Sequence, residues 1–187
     1  MNNTKNFDCR ILEILETMPL VEGIEYLLSL PRKNRFSRKH VLAELCATNT
    51  KCACCGVEGT KFMLGKATDG SLHWNLYTDN DIAFSLYHIL PKVHVGFNHI
   101  DNMQLLCVRC NRFKSDKPYK IEIFKKLLDA GLDVQIVSLN SIRIGKGDKM
   151  PVGLFVELSQ HLKEYKDDMR LYYSFNELYF IKTDRNK

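Results

Sequence analysis

Two cysteine knuckles dominate what this chain can fold into. One reads Cys52-Ala53-Cys54-Cys55 followed by Gly56, and the other reads Cys107-Val108-Arg109-Cys110 followed by Asn111. A two-residue gap lets one tight turn aim two sulfurs at one ion, and zinc takes four such ligands in a tetrahedron. Two turns of this kind, separated by residues 56–106, would tie distant segments to a single point. Cys54 neighbours Cys55 and competes with it for register; the two-residue gap favours Cys52 with Cys55. The expected ligands are therefore Cys52, Cys55, Cys107 and Cys110. Four thiolates leave no open position for water, so the zinc is expected to be structural and not catalytic. Cys9, Cys46 and Cys54 read as core or spare thiols.

The seven cysteines belong with a reduced compartment. No apolar signal-peptide core follows Met1–Asn6, which places the expected location in the cytoplasm, where thiols serve as metal ligands and buried groups more than as a disulfide framework. No apolar run approaches the ~20 residues that span a bilayer, so no membrane partner is expected. The net charge of +5 is too small to name a partner by itself. Its distribution says more: Arg32, Lys33, Arg35, Arg38 and Lys39 stand together without an acid, and Arg109, Arg112, Lys114, Lys117 and Lys120 face only Asp116. Such clusters can neutralise phosphates, and a solvated basic loop is the plainer reading of the first.

Residues 7–47 read as helical. Ile11, Ile14, Leu15 and Met18 fall at helix spacing behind Asp8 as N-cap. Pro19 can open a second helix with Leu20, Ile24, Leu27 and Leu28 on one face, and Ser37 can cap a third with Val41, Leu42 and Leu45 buried. No turn signature marks these helices as a helix-turn-helix, so a packing subdomain is expected. Segments 61–64 and 73–77 read as strands around the turn Asp69-Gly70, and Ile82 to Ile89 as a further strand stopped by Pro91. A short helix is expected over 111–117, then one over 119–130 ended by Gly131, a strand at 134–137, and a helix carrying Phe155, Leu158 and Leu162. The aromatic-rich stretch from Leu171 to Ile181 fits either strand or helix.

Between the knuckles the chain contains His88-Ile89-Leu90-Pro91, Gly96 and Asp101-Asn102-Met103, and the second knuckle is followed by Asn111 and, three residues on, Lys114. Together with the first knuckle this string, Cys52 to Lys117, resembles the zinc-containing HNH endonucleases, which use a ββα-metal fold. The resemblance implies a zinc-stabilised HNH-type ββα-metal core over 51–118 and does not extend beyond it. With the N-terminal helical region over 1–50 and a C-terminal helical and mixed extension over 119–187, both read from patterning, the expected chain is α+β.

The resemblance also implies roles. His88 would be the general base that takes a proton from the water attacking phosphorus. Asn102 would hold the loop beside the His88 strand. Asn111 would offer its carbonyl oxygen to one divalent ion, Mg2+, Mn2+ or Ni2+. Arg109, Arg112, Lys114 and Lys117 would hold the nucleic-acid backbone, with double-stranded DNA as the expected partner. Two positions depart from the family pattern: where an acidic metal ligand usually precedes the base, this chain has Tyr87, and Val95-Gly96 stands where paired glycines are usual. Asp79 or Asp81, His94 or His99, or the substrate's own phosphate oxygens could complete a metal shell. Three functions follow: an HNH endonuclease cutting DNA, a degenerate HNH module that binds nucleic acid without cutting, and a factor that meets a protein partner through its helical extensions.

Overall fold

The computed structural model describes residues 11–32, 36–90, 97–145, 148–165 and 167–183. The chain is α+β and divides into two compact units, Met1–Asn111 and Arg112–Lys187. Asp8, Cys9, Lys33, Arg35, Pro91, His94, Val95 and Gly96 lie outside the described residues.

The first unit opens on strand β1 (Ile11–Pro19), where a helix is expected from apolar spacing. β1 pairs antiparallel with β2 (Lys61–Ala67), and β2 with β3 (Leu72–Tyr77), in the order β1-β2-β3. Register shifts fall between Ile11 and Glu13 and between Ile14 and Glu16. A bulge breaks the two-residue alternation of a strand, so the apolar residues drift to intervals that mimic a helix. β2 and β3 turn at Asp69-Gly70 as expected: Gly70 takes φ +78°, and the Ser71 N–H donates to Asp69 Oδ1 at 2.9 Å.

Helix α1 (Leu20–Ser29) starts directly after Pro19, whose φ of −54° already suits a helix. Leu27 is fully buried, but Leu28 is 41% exposed. Gly23 takes the inward position instead, because α1 approaches β2 so closely that a Cβ at Gly23 would sit 2.4 Å from the Phe62 ring. Helix α2 (Arg38–Thr48) buries Val41, Leu42, Ala43 and Cys46, with Leu45 half-buried. Ser37 precedes it but does not cap it. Its hydroxyl pairs with His40 Nδ1 at 2.8 Å, and His40 Nε2 lies 2.8 Å from the Leu30 carbonyl oxygen. A carbonyl only accepts, so Nε2 carries the proton and Ser37 donates to Nδ1; the buried histidine is a structural bridge.

Strand β4 (Phe84–His88) pairs antiparallel with β5 (Met103–Cys107), and helix α3 (Val108–Lys114) follows at once. This is a ββα unit. α3 begins inside the second knuckle, three residues earlier than expected, and Ser115 with φ +52° closes it. α3 runs across the division between the two units.

The second unit contains α4 (Tyr119–Asp129), β6 (Val134–Ser138), β7 (Ser141–Ile144), α5 (Val152–Glu164), β8 (Met169–Ser174) and β9 (Glu177–Lys182). The strands form one antiparallel sheet in the order β6-β7-β9-β8. Phe113, Phe124, Leu127, Ile142, Leu158 and Phe180 fill the core. Lys120, 4% exposed, donates from Nζ to the Leu139 carbonyl and Asn140 Oδ1, both at 2.8 Å, and lies 5.6 Å from the Phe113 and Phe180 ring centres.

Candidate metal centre and active site

The two knuckles meet. The sulfurs of Cys52, Cys55, Cys107 and Cys110 all lie within 4.8 Å of one another. Zn–S bonds of about 2.3 Å in a tetrahedron put sulfurs about 3.8 Å apart, and Cys55 Sγ lies 3.8 Å from Cys107 Sγ. The donor set and its spacing therefore fit a structural zinc ion. Cys52, Cys107 and Cys110 are buried while Cys55 reaches the surface. Gly56 makes the first turn possible with φ +73°, and its N–H donates to the Cys52 carbonyl at 3.0 Å. The Ala53 N–H donates to the Leu105 carbonyl at 2.9 Å, and the Cys107 N–H points at Cys52 Sγ at 3.3 Å. These bonds tie the first knuckle to β5.

Hydrogen bonds from the Cys107 and Cys110 thiols hold Cys52 far below the ordinary thiol range and bring Cys55 down to about 7. The bond from Cys107 is the first of the causes that push Cys110 up. Four crowded thiols cannot all ionise by themselves; a divalent cation lets them. Cys54 is buried and lies outside the four-sulfur group, as the two-residue gap leads one to expect. Burial pushes the Cys46 thiol up to about 12, as suits an inert core group.

His88 ends β4, opposite Met103, and is half-buried. Its Nε2 lies 2.9 Å from Asn98 Oδ1. An amide oxygen only accepts, so Nε2 donates, and in the neutral ring Nδ1 is the nitrogen that carries the lone pair. Asn98 has no place in the sequence reading above, because its partnership with His88 depends on a fold that brings residues ten apart together.

Asn102 is buried at 8% exposure in a 3-10 turn, Ile100–Asn102, that leads into β5. Its Oδ1 accepts the Leu90 N–H at 2.9 Å, and its Nδ2 donates to the carbonyls of Leu90 at 3.1 Å and Phe97 at 3.0 Å. The Asn102 backbone carbonyl accepts the Ile89 N–H at 2.9 Å. One side chain thus joins the end of the His88 strand to the segment carrying Asn98.

Asn111 lies half-buried on α3; among the described residues no side-chain hydrogen bond engages its amide, and none joins it to His88. Arg109 and Arg112 are exposed. Lys114 is not: at 1% exposure it does not present its ammonium at the surface, and burial pushes it down to about 8. Lys117 pairs with Asp167 at 2.8 Å, and the Tyr119 hydroxyl donates to the same carboxylate oxygen at 2.8 Å. Its charge is already balanced within the second unit.

Position 87 offers a half-buried phenol opposite Gln104. Asp79 accepts from Thr60 Oγ1 at 2.6 Å and Asp81 pairs with Lys61 at 2.9 Å. Both precede β4 while His88 ends it, and a strand of that length spans about 15 Å. Both carboxylates already have partners at the start of that strand. His99 is exposed and pairs with Asp101 at 3.1 Å.

Residues 78–117 match the family model described as HNH endonuclease. No curated protein and no solved structure matches the chain. Among the described residues, no helix is long and apolar enough to cross a membrane.

Proposed function

We propose that the first unit is an HNH-type nuclease module that hydrolyses phosphodiester bonds in double-stranded DNA, with His88 as general base. The observation that carries this reading is the His88–Asn98 hydrogen bond at 2.9 Å, held in the frame that Asn102 braces. It leaves Nδ1 with a lone pair to take a proton from water as that water attacks phosphorus. Exposed Arg109 and Arg112 would position the backbone. The ion at the four cysteines is read as zinc that fixes the frame.

A second ion fits this end of the molecule less well. Hard cations favour anionic oxygen, and Tyr87 and Asn111 supply a phenol and a neutral amide. Asn111 would hold Mg2+, Mn2+ or Ni2+ only with phosphate oxygens of the substrate in the shell, where the ion would stabilise charge on phosphorus. Tyr87 is also the observation that favours the second reading: a module that still binds nucleic acid but no longer cuts.

Plasmid incubated with the purified full chain and each of the three ions separates the two readings. Cleavage lost in His88→Ala supports the nuclease. Cleavage seen only in Tyr87→Asp means that position 87 abolished it, and steeply salt-dependent binding without cleavage in any variant favours the binding module. A chain that neither cuts nor binds refutes both.

A further inference from the structure

The two basic residues that open α2, Arg38 and Lys39, have no part in the cleavage chemistry, yet they line a cleft. In the first unit a hollow of about 360 Å3 is walled by Phe36, Arg38, Lys39, Leu72, His73 and Trp74. Trp74 stands on β3 opposite Leu64 of β2, and the Tyr26 ring of α1 meets it edge-on, centroids 5.7 Å apart at 64°. The indole is thus braced by two elements while remaining partly open to solvent. Leu72 beside it is 54% exposed, which is unusual for an apolar side chain on a sheet and continues the flat wall. Arg38 and Lys39 are exposed in the first turn of α2, and no acidic side chain is among the described residues that line the hollow. His73 adds an imidazole, fixed by Ser71 Oγ at 2.6 Å, which in turn bonds Asp69.

The combination narrows the ligand. An inorganic anion has no use for an indole wall, and an uncharged aromatic ring has no use for two cations. A nucleotide uses both: bases stack on aromatic faces with little regard to sequence, and phosphate answers to Arg and Lys. The volume is at the small end of ligand pockets, which suits one nucleotide and not a strand. Bases in a duplex already have both faces covered, so the occupant must be unpaired.

We propose that this cleft binds one unpaired nucleotide, its base against Trp74 and its phosphate between Arg38 and Lys39. It shares a class of partner with the HNH reading but no residue with it. The nucleotide can come from a frayed or single-stranded stretch of nucleic acid or from a free mononucleotide.

Trp74 is the single tryptophan of the chain, so indole emission reports on this cleft alone. The experiment uses full-length His88→Ala, which holds the substrate uncut whether or not the native chain is a nuclease. Emission is followed while a short single-stranded oligonucleotide, AMP, a blunt duplex and inorganic phosphate are added in separate titrations. Saturable quenching by the oligonucleotide or AMP is the expected result, and the tighter of the two names the source. Arg38→Gln with Lys39→Gln should weaken it by about tenfold or more, with unchanged circular dichroism. Trp74→Leu should weaken binding of a labelled oligonucleotide by a similar factor.

Quenching by the duplex at equal or lower concentration overturns the proposal. So does silence toward both oligonucleotide and AMP, or an effect of phosphate equal to that of AMP, which would mark an anion site only. Loss of plasmid cleavage in His88→Ala with Trp74 quenching intact separates the two readings, and the reverse pattern would sink this one alone.

Discussion

Replacing Asn102 by alanine removes three hydrogen bonds at once, those to the Leu90 N–H, the Leu90 carbonyl and the Phe97 carbonyl. Each is worth about 1 kcal/mol net, so the set contributes about 3 kcal/mol. Groups left unpaired at a site 8% exposed add to the loss, and water entering the vacated space offsets part of it. The expected destabilisation is about 2–4 kcal/mol, a large fraction of the ~5–15 kcal/mol that holds a domain folded. Asn102→Asp is the sharper variant. It keeps the acceptor for Leu90 but turns a carboxylate toward two carbonyl oxygens, so at neutral pH it should cost at least as much as alanine. Acid should recover part of that loss. Urea unfolding of the zinc-loaded chain, followed by Trp74 emission so that only the first unit is read, gives both numbers. A loss below about 0.5 kcal/mol for both variants would refute the claim that this amide holds the His88 frame together.

Elemental analysis should find one zinc per chain at the knuckles. Cys110→Ser or a strong chelator should unfold the first unit, and a metal-free preparation with native circular dichroism would contradict the clamp. Burial lowers Lys114 from 10.5 to about 8, so between those values the unfolded chain holds more protons than the folded one and stability rises with pH. The rise is roughly 3 kcal/mol across the window, and below about 8 the folded state carries the full cost. Lys114→Met should erase that slope and be the more stable chain at pH 7; a parallel slope in the variant counts against the assignment. Gly23→Ala would press a Cβ against Phe62 and should cost about 1–3 kcal/mol in the same unfolding assay, whereas an unchanged midpoint would mean that α1 sits farther from β2. Nitrogen-15 NMR should find His88 protonated at Nε2, with Asn98→Asp preserving that tautomer and Asn98→Leu mixing it; a native Nδ1–H signal would remove Asn98 from its role.

What sequence alone could reveal follows from how local each signal is. The cysteine register is readable because zinc chemistry fixes a two-residue gap, and the β2–β3 hairpin because Asp69-Gly70 is a turn by composition. β1 is misread as a helix because its bulges scramble the alternation and its partner lies fifty residues away. Leu28 is misassigned as inward because only the approach of Phe62 makes Gly23 the inward residue. The β8–β9 hairpin hides because its turn, Phe175-Asn176, takes positive φ at both residues without a glycine to announce it. At the candidate site, Tyr87 is visible as a departure from a pattern, but Asn98 is invisible: any loop asparagine looks the same until a fold sets it against a histidine. Lys114 looks like a surface cation for the same reason, since the α3 periodicity that buries it continues into a unit whose packing the local sequence does not reveal.

The knuckle geometry also imposes a schedule. Cys52 and Cys55 leave the ribosome first, and Cys107 and Cys110 only after β2, β3 and β4, at the end of β5 and in α3. Until Cys107 and Cys110 emerge, the first pair can hold an ion only loosely, and β5, which anchors the first knuckle through Leu105, is made only just before them. Closure across so long a segment is slow and entropically costly. Completion of the first unit is thus a capture event late in synthesis, and the yield of folded chain should follow the supply of free zinc in the cell during translation.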